Sequence, residues 1–316
     1  MTTGASTGTV RNYLEWSRRG SATFVRYLLA YFLVIIVWQV GSQFGNAWME
    51  DHPDASPFAR LVVLVVPFFM GLATLPLATA KILHRPAWSF ALPRSHARWA
   101  DLGLGFGIGL VAVGAATLVT SPLTQISSVG WGNGTNLGTV VPFVLLALVG
   151  FLAQTSFEEG LYRGYSEQLV AKFTTKVWLI LTLPAFLFAS GHIGNVAAFA
   201  DAPRVLQLLP YLLFGLTMAW AAYRAGSLLM AIGLHFANNL SLALVISTAG
   251  DVIPTIAPLQ RLSPTLTVEL LSSVVQAAVS ILLVEWVVRR RVKADPSTAA
   301  TPVDLAVPKD APTPQS

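Results

Sequence analysis

Residues 140–163 read VVPFVLLALVGFLAQTSFEEGLYR. Crossing the hydrocarbon layer of a bilayer takes about 20 apolar helical residues, and this run supplies them. It then ends in two adjacent glutamates and an arginine, residues that are costly at membrane depth. The stretch therefore poses both questions at once: a spanning helix, and a reason for charges at its end.

Working outward, comparable apolar runs occur at 24–43, 61–83, 101–120, 177–193, 205–224, 227–247 and 267–288. The chain of 316 residues is 54% hydrophobic and only 11% charged. A soluble domain carries about 25% charged residues, so too little polar surface exists to cover a water-soluble globule. The expected fold class is all-α, a polytopic membrane helix bundle of about eight transmembrane helices. The first run is long, lacks a small-residue cleavage site and is followed by more such runs, unlike a cleavable signal peptide. Cysteine is absent, which excludes disulfides and thiolate metal sites. The glycines at 103, 105, 107 and 109 lack the strand–turn–helix setting of a phosphate loop and read as a helix-packing face.

The net charge of +5 does not come from one basic patch, which argues against a nucleic-acid partner. The basic residues sit in short segments between the runs, as membrane flanks do. Threading eight spans puts 17 of the Lys and Arg residues on one side, from Arg11 to Lys309, and only Arg60, Arg204 and Arg261 on the other. The richer side is expected to be cytoplasmic, with both termini on it, in a multi-pass protein of the cell membrane. Residues 1–292 read as one membrane domain with its motif core at about 140–247, followed by a disordered cytoplasmic tail over 293–316.

Three clusters accept the cost of polarity in apolar surroundings. In the first, Glu159 and Arg163 lie four apart on one helix face and can pair. Glu158 is rotated by about 100° from Glu159 and is expected to lack that partner. A lone carboxylate at a cavity can act as a general base, although an interfacial ion-pair belt would use the same residues. The second cluster is Phe188-Ala189-Ser190-Gly191-His192, where Gly191 leaves space beside the imidazole. The bland alternative is an interfacial histidine. The third is His235-Phe236-Ala237-Asn238-Asn239, with His235 and Asn239 on one helix face. An asparagine there can also simply bind helices together. The depths conflict: a straight, full-length fifth span would carry His192 toward the outer end, away from Glu158. That span is short and contains Pro184, which suggests a tilt, a break or a misplaced boundary.

At these clusters the chain resembles the CAAX-protease and bacteriocin-processing family of intramembrane endopeptidases (CPBP, or Abi). The family's Glu-Glu-x-x-x-Arg, Phe-x-x-x-His and His-x-x-x-Asn motifs, each on its own helix, read here as Glu158-Glu159-x-x-x-Arg163, Phe188-x-x-x-His192 and His235-x-x-x-Asn239. The stretch from Gly226 into His235 is similar as well. The resemblance implies a helical bundle with a conical cavity open to the cytoplasm and the membrane. It implies hydrolysis of a peptide bond by water in a membrane-associated peptide or protein substrate, a prenylated one included. By residue matching, Glu158 would activate the water with help from His192. His235 and Asn239 would stabilise the oxyanion, and Glu159, Arg163 and Phe188 would stand behind this set. No serine or cysteine nucleophile is evident. Zinc held by Glu158, His192 and His235 is the rival mechanism. The absence of a His-Glu-x-x-His pair leaves a mechanism without cofactor favoured.

Two other classes of function use the same observations. A transporter could run protons or ions past Glu158, His192 and His235, but would be expected to show an internal repeat, and none is seen. A non-catalytic membrane partner or immunity protein of the same fold would keep the helices and lose the need for a complete motif set.

Overall fold

The structure is a computed structural model and describes residues 12–18, 23–93, 98–129, 137–198, 202–249, 252–262 and 265–296. It is a helical bundle. The long elements are α1 (Phe24–Asp51), α2 (Pro57–Lys81), α3 (Ala100–Thr120), α4 (Leu137–Glu159), α5 (Glu167–Phe173), α6 (Val177–Gly191), α7 (Leu209–Ala225), α8 (Leu229–Leu244) and α9 (Leu266–Ala294). A π-helical segment, Gly160–Ser166, joins α4 to α5, so that Leu137–Phe173 forms one rod. Three short strands, β1 (Gln125–Ser128), β2 (Ile246–Thr248) and β3 (Leu259–Leu262), make a small sheet in the order β1-β3-β2. The β1–β3 pair is antiparallel and the β2–β3 pair parallel.

Six helices among the described residues are long and apolar enough to cross a membrane; α6 and α8 are apolar but shorter. At 15 and 16 residues they reach roughly 22–24 Å, against about 30 Å of hydrocarbon. Against the expected eight transmembrane helices, six described rods are long enough for a full crossing and two apolar rods are too short to face lipid along one. Burial explains why α8 tolerates this. Only three of the 28 residues of α1 are buried, and Phe32, Ile36, Val40 and Phe44 stand exposed on it. Twelve of the 16 residues of α8 are buried. Such broad exposed apolar faces mark a surface made for lipid, and α8 is the central post sheltered behind them.

Small residues seat that post. A Cβ on Gly105 would lie 2.2 Å from the Met230 carbonyl, and one on Gly233 2.2 Å from the Leu102 carbonyl, so α3 and α8 meet backbone to backbone. Gly109 faces Ala237 in the same seam, whereas Gly103 and Gly107 face open space. The glycine row is therefore a packing face on alternate members only.

Rods consecutive in the chain alternate in direction, while α3 and α8 run parallel, with Gly105 beside Met230 and Gly109 beside Ala237. Gly45 of α1 packs against Val63 at the start of α2, and Arg291 near the end of α9 pairs with Asp101 at the start of α3. Gly215 of α7 meets Ala185 and Phe188 of α6. One end of the bundle, the sheet end, carries β1–β3. The opposite, basal end carries the α2–α3 and α7–α8 connections, and the first and last described segments meet it. There the Tyr13 N–H donates to the Gly226 carbonyl at 3.0 Å, and Trp16 Nε1 to Leu92 O at 3.0 Å. Helix α9 runs to Ala294, past the expected tail boundary at 293, and residues 297–316 of that tail lie outside the described residues.

Candidate active site

The fourth rod carries Glu158 and Glu159 in its middle, not a turn from its end, because the helix continues through the π segment to Phe173. A π turn adds a residue to the helical repeat and recurs at functional sites. Helix α6 runs unbroken through Pro184 and stops at Gly191. His192 is its C-terminal cap and is stacked on Tyr211 near the start of α7, with ring centroids 4.5 Å apart. The short helix resolves the conflict of depth: His192 comes level with the middle of the bundle because α6 ends there, not because it is broken at Pro184.

Glu158, His192, His235 and Asn239 line one cavity of about 220 Å³, together with Gln154, Phe188, Tyr211 and Phe214. His235 stands between the two glutamates. Its Nδ1 lies 2.8 Å from Glu159 Oε1, and its Nε2 lies 3.4 Å from Glu158 Oε2. A carboxylate accepts only, so Nδ1 carries a proton and the ring plane is fixed. Glu158 is not isolated, as its position on the helix suggested: Gln154 Nε2 also donates to its Oε1 at 3.4 Å. Both contacts are long and leave the carboxylate acceptor capacity toward the cavity.

Behind this pair, the expected Glu159–Arg163 partnership is present, with Nε 3.3 Å from Oε2 and both side chains fully buried. Arg163 Nη2 donates to the Gly215 carbonyl at 3.0 Å, and the guanidinium lies 4.7 Å over the Phe188 ring. Phe188 in turn touches His192 at 4.4 Å between centroids and His235 edge-on at 6.0 Å. The aromatic ring of the second motif thus joins the other two. His192 Nδ1 lies 2.8 Å from the Phe188 carbonyl. A carbonyl also only accepts, which leaves Nε2 of the neutral ring as a lone pair. The space expected beside Gly191 is taken by Tyr162, whose hydroxyl would lie 2.8 Å from a Cβ there.

Asn239 receives a hydrogen bond on Oδ1 from Asn238 Nδ2 at 3.1 Å, so its own amide N–H groups remain to donate. Asn238 and Gln154 went unremarked in the sequence. The signal available for each was an amide inside an apolar run. Among the described residues no group of three His, Asp or Glu side chains converges to hold a metal ion. The zinc set Glu158, His192 and His235 therefore does not fit as placed, and no step is routed through it.

The fold and site define a multi-pass membrane helix bundle with a buried glutamate–histidine–asparagine centre. Residues 140–241, which include every residue of that centre, match the family model of Rce1-like type II CAAX prenyl endopeptidases. Over 247 residues, 76% of this chain and 79% of its relative, the chain is 25% identical to the uncharacterized protein YyaK of Bacillus subtilis (strain 168). No solved structure matches it.

Proposed function

We propose that the protein is an intramembrane endopeptidase that hydrolyses a peptide bond of a membrane-associated protein or peptide, a prenylated one included, with water as nucleophile. The observation that carries the reading is His235 held between Glu158 and Glu159 on the wall of a cavity shared with His192 and Asn239. Glu158 removes a proton from the attacking water, and the Nε2 lone pair of His192 holds that water by accepting a hydrogen bond from its other O–H, which stays on the oxygen. The oxygen bonds to the scissile carbonyl carbon, and the carbonyl oxygen becomes an oxyanion. The Asn239 amide donates to it, and so does His235 when Nε2 also carries a proton. The proton on Glu158 then passes to the leaving amine, and the C–N bond breaks. Glu159, Arg163 and Phe188 hold His235 and His192 in place. The mechanism uses no cofactor. Residues 1–292 act as one membrane domain, and the basal end, which carries the basic residues, faces the cytoplasm.

The test is incubation of detergent-purified protein with a library of membrane peptides, wild type beside Glu158→Ala, with products read by mass spectrometry. Cleavage that depends on Glu158 supports the reading. Cleavage undiminished in Glu158→Ala removes the assigned base.

A further inference from the structure

A second, smaller cavity of about 30 Å³ lies beside the first, where α3, α7, α8 and α9 meet. The two share Val113, Phe214, Asn238, Ser273 and Gln276 in their walls, so the smaller is a side chamber of the larger. On α8 the chamber is faced by Leu234 and Asn238. Each stands one residue before His235 or Asn239, and is rotated by about 100° from the catalytic face. The chamber extends to Ser280, seven residues from Ser273 and roughly 10 Å further along α9. The sequence of α9 accounts for this wall. Ser273, Gln276 and Ser280 fall at i, i+3 and i+7 and take one face, while Val274, Ile281 and Leu282 stand exposed on others. A helix long enough to span thus turns a polar stripe inward, and such a stripe is costly at membrane depth unless its polar atoms are satisfied.

Among the described residues Ser273, Gln276 and Ser280 make no hydrogen bond to the protein, although Ser280 is only 4% exposed. Thr217 Oγ1 donates to the Leu213 carbonyl at 2.8 Å and keeps lone pairs for accepting. Asn238 spends one N–H on Asn239 Oδ1 at 3.1 Å, which leaves its carbonyl oxygen and its second N–H. Gly109, Ala112 and Ala277 supply the space. A buried water needs about 10–15 Å³ and two to four polar partners, so there is room for about two. We propose that the chamber is a water-binding site, and that it feeds nucleophile water to Glu158 from behind while a substrate fills the main cavity. The supply role rests on the endopeptidase reading; the water site does not. Hydrolysis consumes one water for each peptide bond, and a peptide seated against His235 and Asn239 displaces the water of the main cavity. Asn238 and Gln276, polar on both sides of the shared wall, form the passage between the two.

Met218 lines the chamber and is 2% exposed, which makes it a reporter of water there. Fast X-ray radiolysis of the detergent-purified protein makes hydroxyl radicals from bound water, and these oxidise a buried methionine where such water touches it. Met230 has no exposed surface and lines neither cavity, and it is the internal control. The expected result is sulfoxide at Met218 and none at Met230; a general loosening of the bundle would label both. Ser280→Leu fills the chamber and should abolish the Met218 signal. Ser280→Val removes the hydroxyl with less added bulk and should reduce it, and it carries the test where the larger residue prevents folding. An unmodified Met218 in the wild type overturns the proposal, as does a signal that survives Ser280→Leu in protein with an intact melt. Steady-state cleavage of a peptide identified with the wild type then tests the supply. Ser280 lines the chamber alone, so a loss of kcat at unchanged KM in its variants supports that role. Loss of the Met218 signal with wild-type kcat makes the water structural and overturns the supply. Labelling of Met218 in a protein that cleaves no peptide leaves the water site standing and removes the endopeptidase reading.

Discussion

Replacing Glu159 with glutamine separates the two jobs that the structure gives this residue. Its Oε1 accepts from His235 Nδ1 and its Oε2 faces Arg163 Nε, with no solvent at either oxygen. The amide keeps the shape and removes the charge. Arg163 then stays buried with the Phe188 face and one carbonyl as its remaining close contacts on that side. Breaking a buried pair in this way costs about 3–5 kcal/mol, because one charge is left uncompensated. For a domain of this order of size that lowers the melting midpoint by on the order of 10 °C. The catalytic cost is separate. Where the histidine is itself the base, an amide behind it costs about 10⁴ in kcat. Here Glu158 is the base and His235 only one oxyanion donor, so the expected loss is roughly 10²–10³, the scale of one lost donor. KM should be little changed, since the donor acts in the transition state. The assay is a thermal melt in detergent beside steady-state cleavage of a peptide identified with the wild type. Wild-type melting together with wild-type kcat in Glu159→Gln would refute the reasoning, as would a loss confined to KM.

Glu158→Gln should abolish turnover while leaving the melt near wild type, because its contacts are long and on the cavity side. Asn239→Ala should lower kcat by roughly 10²–10³, and Asn238→Ala by less, since Asn238 only orients the donor; the reverse order in side-by-side kinetics would exchange their roles. Gly105→Val should cost about 1–3 kcal/mol or prevent accumulation by forcing α3 off α8, whereas Gly103→Val, with nothing within 4 Å, should be neutral in a fluorescence-detected melt. Elemental analysis of purified protein should find no stoichiometric zinc, and activity should survive chelation; stoichiometric zinc in the wild type that is lost with His235→Ala would end the metal-free mechanism.

What the sequence could show of this site was whatever lies within one helix. The apolar runs marked the six long rods and the two shorter ones, and i,i+4 spacing joined Glu159 to Arg163 and put His235 and Asn239 on one wall. The Glu159–His235 contact joins residues 76 apart in the chain, and nothing local announces it. The fifth span, read as 177–193, agrees within two residues with the helix Val177–Gly191; that the chain turns at His192 instead of running on to the far side is not visible in composition. The fourth span, read as 140–163, was cut short, since the rod runs over Leu137–Phe173. Glu158, Glu159 and Arg163 looked like the edge of the membrane, but they sit in mid-rod with an entire polar layer, Gln168 and Arg85 included, packed beneath them.

The shortness of α6 and α8 connects the fold to hydrolysis. A catalytic carboxylate at membrane depth needs water, and full-length helices packed at native density would leave no route for it. Non-helical backbone at that depth is tolerated only where protein covers it or where it lines a wet cavity. After α6 the chain turns at His192, and after α8 it turns into β2, so the space above both helices is filled by loop and sheet instead of lipid-facing helix. The strand Ile246–Thr248 is an edge strand of that sheet and has one side of its backbone paired with β3. The same arrangement places Ile246, Thr248 and Arg261 on the wall of the cavity. Lengthening α8 by a turn of apolar residues after Leu244 would push helix into that space. It should stop turnover without touching Glu158, His192, His235 or Asn239, while the bundle still folds on its α3–α8 seam.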